Sequence, residues 1–81
     1  MAVVRGVVMD KFTGEPIPGA LINIDGFRTT SASDGTFYLE VPEGTHIINV
    51  TATNYEPVTR VVEIGDSTYL TILMTPVVRL L

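Results

Sequence analysis

Between Thr36 and Val41 the chain alternates: Phe37, Leu39 and Val41 fall on one face of a period-two strand, and Thr36, Tyr38 and Glu40 on the other. Turn residues bracket this run. Asp34-Gly35 precedes it, a pair suited to a tight turn because Gly accepts positive φ and the Asp carboxylate can bond its own backbone two residues on. Pro42-Glu43-Gly44 follows, and Pro42, with no N–H for a ladder, ends the strand. Alternation resumes from Thr45 to Val50, with His46, Ile48, Val50 and Ala52 as one candidate face. The stretch from Ser33 to Val50 thus predicts two hairpins sharing one strand, and the rest of the chain is organised around it.

The same reading places strands at Val3–Met9, Ala20–Asp25, Phe27–Ala32, Val58–Ile64 and Ser67–Thr75. Asp25-Gly26 is a second hairpin signal. It leads into Phe27–Ala32, whose polar character suits a sheet edge. Pro16 and Pro18 exclude a regular strand between Asp10 and Gly19. Asn54, the non-glycine type best able to enter the left-handed region, turns the chain before Tyr55 and Pro57. Gly65-Asp66 closes the sixth strand. Seven short strands, turns every eight to twelve residues and no useful helical period predict an all-β, seven-stranded antiparallel Greek-key sandwich. One domain spans residues 1–76, and Val77-Val78-Arg79-Leu80-Leu81 follows Pro76 as an apolar tail.

Composition narrows the function more than the fold. At 81 residues the chain is one small domain, and without cysteine it has neither disulfides nor thiolate metal sites. The net charge is −4 with a pI near 4.6, and the five cations are scattered singly, which argues against a nucleic-acid surface. Only 17% of residues are charged while 46% are apolar, and mean hydropathy is +0.37, greasy for a freely diffusing monomer. No run reaches the roughly 18 apolar residues of a membrane span. Met1-Ala2-Val3-Val4-Arg5 lacks the layout of a signal peptide, so either the chain is made without export or it begins after a cleaved leader.

An ordered series of short motifs carries a family resemblance. Gly6-x-Val8-x-Asp10, Thr13-Gly14-Glu15-Pro16-Ile17-Pro18-Gly19-Ala20, Asp34-Gly35-x-Phe37-x-Leu39, Pro42-x-Gly44 and Asn54-Tyr55 together resemble the carboxypeptidase regulatory-like domain, a transthyretin-like (prealbumin-like) β-sandwich. The resemblance runs from about Val4 to Thr75, with Asn54 where the family usually has Gly. It implies an accessory module with no catalytic residues to transfer, in an extracellular, cell-surface or virion setting. The transthyretin-like fold also hosts a hydrolase of a purine-breakdown intermediate, which relies on several histidines and a basic, Ser-ending C-terminal motif. This chain has one histidine and ends Arg79-Leu80-Leu81.

No catalytic or cofactor site emerges from the residues, and no enzyme is expected. His46, the only histidine, would need Ser31, Ser33 or Ser67 beside it and an orienting carboxylate for serine catalysis, and nothing in the spacing suggests this. Asp10, Glu15, Asp25, Asp34, Glu40 and Glu43 form no Asp-x-Asp-x-Asp calcium loop and read as solvated turn residues. The sequon Asn49-Val50-Thr51 lies mid-strand and reads as chance. Tyr38, Tyr55, Tyr69, Phe12 and Phe27 could line a sugar-binding face, but they are spread over different strands and no Trp accompanies them. The remaining signal is apolar residues on the wrong side. With Val4, Gly6, Val8, Ile22, Ile24, Phe37, Leu39, Ile48, Val50, Ile72 and Met74 filling the core, Val7, Met9, Leu21, Tyr38, Ile47, Tyr69 and Leu73 face outward. The candidate interaction residues are Val7, Met9, Tyr38, Ile47, Tyr69 and Leu73, joined by Val77, Val78, Leu80 and Leu81 of the tail. The expected partner is protein, either other copies of the chain or a neighbouring domain. The alternative is an accessory module binding carbohydrate or peptide through Tyr55, Glu56 and Phe27.

Overall fold

The computed structural model describes residues 1–78. Seven strands form in chain order: β1 (Ala2–Asp10), β2 (Leu21–Ile24), β3 (Phe27–Thr30), β4 (Thr36–Val41), β5 (Gly44–Thr51), β6 (Val58–Ile64) and β7 (Ser67–Met74). They make two sheets, one ordered β4-β1-β7 and the other β3-β2-β5-β6. Between them lies a core of Val4, Val8, Ile22, Ile24, Ile48, Val50, Ile72 and Met74, all fully buried, with Phe37 beside them. These are the inward positions read from the alternation. Leu39 is only partly buried, and Ala2, Ile17, Ala20, Val41, Val62 and Ile64 complete the core.

The predicted pair of hairpins around β4 does not form. β5 has β2 on one edge and β6 on the other, so no edge is left for β4. β4 instead pairs with β1, from Ala2↔Val41 to Val7↔Thr36. Both turns flanking β4 therefore carry the chain from one sheet to the other. The genuine two-residue hairpin is at Asp25-Gly26, joining β2 to β3 through the pair Ile24↔Phe27. Its central residues have φ of 47° and 95°, the mirror-image turn that matches the twist of paired strands. Asn54 does adopt the left-handed conformation expected of it, with φ of 70°.

One ladder departs from the antiparallel expectation. β1 and β7 run parallel, from Val3↔Ser67 to Asp10↔Met74. The chain crosses from β6 in one sheet to β7 in the other at Gly65-Asp66, and that crossover sets the direction of β7 along the free edge of β1. Two close approaches depend on glycine. A Cβ on Gly6 would lie 2.5 Å from Cζ of Phe37, and one on Gly35, at φ of 81°, would lie 2.6 Å from the Val8 carbonyl oxygen.

The loop from Lys11 to Ala20 closes one end of the sandwich. The Ile17 amide donates to the Val8 carbonyl (2.9 Å), which tucks the Ile17 side chain under the core. Ser31 holds this loop: its buried Oγ accepts the Ala20 N–H (2.8 Å) and donates to the Ile17 carbonyl (2.7 Å).

Candidate interaction surface

Alternation along β1 sends Val3, Arg5, Val7 and Met9 outward, and the neighbouring strands place partners beside them. The outer face of the β4-β1-β7 sheet therefore consists of cross-strand rows. Arg5 lies between Tyr38 and Tyr69, Val7 between Thr36 and Thr71, and Met9 beside Leu73. Tyr38 is 49%, Leu73 50% and Tyr69 65% exposed, while Val7 and Met9 are half-buried by their neighbours. The Arg5 guanidinium stands 5.3 Å from the Tyr38 ring centroid, a cation–π approach that holds the long side chain flat on the sheet. Next to this row a shallow groove of about 460 Å³ is lined by Arg5, Tyr38, Tyr69, Thr29, Thr30 and Thr36.

The outward apolar residues thus do not form a single surface. Val7, Met9, Tyr38, Tyr69 and Leu73 share this sheet, whereas Ile47 lies on the opposite outer face, in register with Val61 on β6. Ile47 is 47% and Val61 70% exposed. Sequence reasoning missed Val61, although strict alternation with the buried Val62 and Ile64 would have placed it outside. The chain beyond β7 runs along the segment 54–56: the Glu56 N–H donates to the Thr75 carbonyl (2.8 Å) and the Val77 N–H to the Asn54 carbonyl (2.9 Å). Val77 and Val78 are exposed there; Leu80 and Leu81 lie outside the described residues.

His46, Asp10 and Tyr55 are engaged in holding the fold. His46 Nδ1 lies 2.8 Å from Asp25 Oδ2 and its Nε2 2.7 Å from the Pro42 carbonyl oxygen. Both partners are acceptors, so only the imidazolium can donate to each, and its pKa is raised, chiefly by Asp25 and then by Pro42. Both ring nitrogens are thereby occupied. Ser31, committed to the loop, sits at the opposite end of β3 from the Asp25 turn, so the structure assembles no Ser-His pair from them.

At the other end of the molecule Asp10 Oδ1 accepts the N–H groups of Phe12 (2.8 Å) and Thr13 (3.0 Å), and Oδ2 accepts the Tyr55 hydroxyl (2.8 Å). The Thr13 and Phe12 amides, and then Tyr55, lower the Asp10 pKa, while Asp10 in turn raises that of Tyr55. Tyr55 is therefore a clasp between β1 and the β5–β6 connection rather than a free ligand platform. Among the described residues, no group of three or more His, Asp or Glu is placed to hold a metal ion.

Known proteins share both the sequence and the architecture. Human carboxypeptidase Z is 40% identical over 57 residues, 68% of this chain and 9% of that protein. A viral protein, Structural protein 27 of the isolate Australia/Victoria, is 30% identical over 66 residues, 82% of this chain and 13% of that protein. The chain thus spans only about a tenth of these relatives. Among solved structures, a chain of a type II cohesin–X-dockerin complex from Acetivibrio cellulolyticus superposes with a TM-score of 0.81 at 22% identity, over 94% of this chain and 58% of that one. The 5-hydroxyisourate hydrolase of Klebsiella pneumoniae gives 0.67 at 16% identity, over 94% and 91%. These likenesses establish the transthyretin-like β-sandwich. The carboxypeptidase regulatory-like domain matches residues 3–75, a domain distinct from the catalytic domain of carboxypeptidases, and the chain belongs to that family.

Proposed function

We propose that the chain is a non-catalytic structural module that works by packing, associating with further copies of itself through the outer face of the β4-β1-β7 sheet, within a larger surface or virion assembly. The observation that carries this reading is the continuity of Val7, Met9 and Leu73 with the tyrosines of the next row. Burying an exposed Leu- or Tyr-sized side chain contributes on the order of 1.5–3 kcal/mol, so a symmetric contact using such residues from both copies suffices for a defined oligomer. The low charge suits close packing, and the likeness to a viral structural protein supports the setting. Light scattering over a wide concentration range tests it. A defined oligomer that Val7→Lys or Leu73→Lys dissociates is the expected result; a monomer at every concentration refutes self-association.

The groove beside Arg5 favours a second reading, an accessory module binding carbohydrate or peptide. Two tyrosine rings flank a cation there, among threonine hydroxyls. Titration against glycan and peptide panels separates the two readings, since a packing module shows no saturable binding.

A further inference from the structure

Among the described residues, the two sheets leave four strand edges. Three carry features that discourage pairing with another chain: β3 has four residues and contains Arg28, β4 contains Glu40 and ends at Pro42, and β6 follows Pro57 and contains Arg60 and Glu63. β7 differs. Ser67–Met74 is eight residues long and has no charge, proline or glycine.

The hydrogen bonds show which groups of β7 are unspent. The Asp66 and Met74 carbonyls accept from Val3 and Lys11 on the β1 side. Backbone groups alternate in direction along a strand, so the odd-numbered residues point away from β1. Two contacts agree: the Thr71 carbonyl accepts from Arg60 Nη2 (3.2 Å), and the Thr75 carbonyl accepts from the Glu56 N–H. Among the described residues, Tyr69, Thr71 and Leu73 therefore present an open ladder edge, with the Arg60 side chain reaching over its central acceptor.

We infer that β7 is the self-pairing edge of this domain: two copies join antiparallel about a two-fold axis at Thr71, giving a continuous six-stranded sheet. This rests on the self-association proposed above and specifies its geometry. With Thr71 facing Thr71, each Tyr69 lies opposite a Leu73, a favourable aromatic–aliphatic pair, and no like charges meet along the seam. The outer faces of the two copies merge, bringing their Tyr69 and Leu73 side chains together. A second copy fits because the same residues supply both halves of the pattern, as a two-fold interface requires. Arg60 must release the Thr71 carbonyl for pairing, so it sets the concentration at which pairing begins.

The test is amide hydrogen exchange on the full chain below and above its association concentration, with light scattering in parallel. In the monomer, Leu70 and Ile72 are protected while Tyr69, Thr71 and Leu73 exchange fast; on association these three gain protection. Thr71→Pro removes only an outward N–H and weakens the dimer about ten- to a hundredfold, the loss expected of two hydrogen bonds. Arg60→Ala strengthens it. Thr71→Lys, an exposed substitution that puts two like charges at the axis, serves if the proline variant loses the folded circular dichroism spectrum. An oligomer that Val7→Lys dissociates but Thr71→Lys and Thr71→Pro leave intact, with no added protection on β7, overturns edge pairing while preserving face packing. A monomer at every concentration, in wild type and in Arg60→Ala, overturns both. Protection of the odd amides only on adding an unrelated extended peptide overturns the second copy as occupant.

Discussion

Gly6→Ala tests the packing of β4 over β1 most directly. The added methyl would meet the Leu70 backbone carbonyl on β7 and Cζ and Cε2 of Phe37 at 2.5 and 2.6 Å, well inside van der Waals contact. Neither neighbour yields easily. The carbonyl belongs to the β1–β7 ladder, and Phe37, 5% exposed and in register with Gly6, fills the core between the sheets. Relief requires the ring to move by about an ångström or more, which displaces its own neighbours. Overpacking of this kind costs about 1–3 kcal/mol, and the backbone obstruction puts this site at the upper end. A domain of this size has a total stability of roughly 4–12 kcal/mol. A loss of about 2–3 kcal/mol lowers the melting temperature by about 10–20 °C. Urea unfolding followed by circular dichroism measures it, with an unchanged slope showing that the compactness of the unfolded state is not the cause. Phe37→Leu in the Gly6→Ala background should recover part of the loss. An unfolding free energy within about 0.5 kcal/mol of wild type would refute the reasoning, since it would mean that Phe37 does not lie over Gly6.

Ser31→Ala strands the buried Ala20 N–H and Ile17 carbonyl and should cost about 1–3 kcal/mol, with faster proteolysis in the 11–20 loop as its local signature. The raised pKa of His46 means that its stabilising contribution is fully present below the unfolded value of about 6.5 and is lost as pH rises through the folded pKa. Stability measured from pH 6 upward should decline on that account, and His46→Gln should abolish the decline. Asp10 behaves in the opposite sense. Its lowered pKa gives a contribution present above about 3.9 and lost as pH falls through the folded value, so Asp10→Asn should flatten the acid limb of the stability profile.

Period-two alternation, with Gly, Pro, Asp and Asn at the turns, was sufficient to place seven strands, their inward faces and the family motifs, because these depend on local backbone geometry and on which side chains must leave water. The left-handed Asn54 and the Asp25-Gly26 hairpin were legible for the same reason. Which strands become neighbours was not. The turns flanking β4 look like hairpin turns in sequence, yet both carry the chain between sheets: β2 and β6 occupy the edges of β5, and β4 crosses over to pair with β1. Likewise the outward residues Val7, Met9, Tyr38, Ile47, Tyr69 and Leu73 are equivalent along the chain. Only the assembled sandwich separates Ile47 onto the opposite face, gives it Val61 as a partner and sets Arg5 between two tyrosines. The open edge of β7 has the same origin: its uncharged composition is written in the sequence, but its position at the end of a sheet follows from a parallel pairing between the first and last strands, a contact that no local pattern encodes.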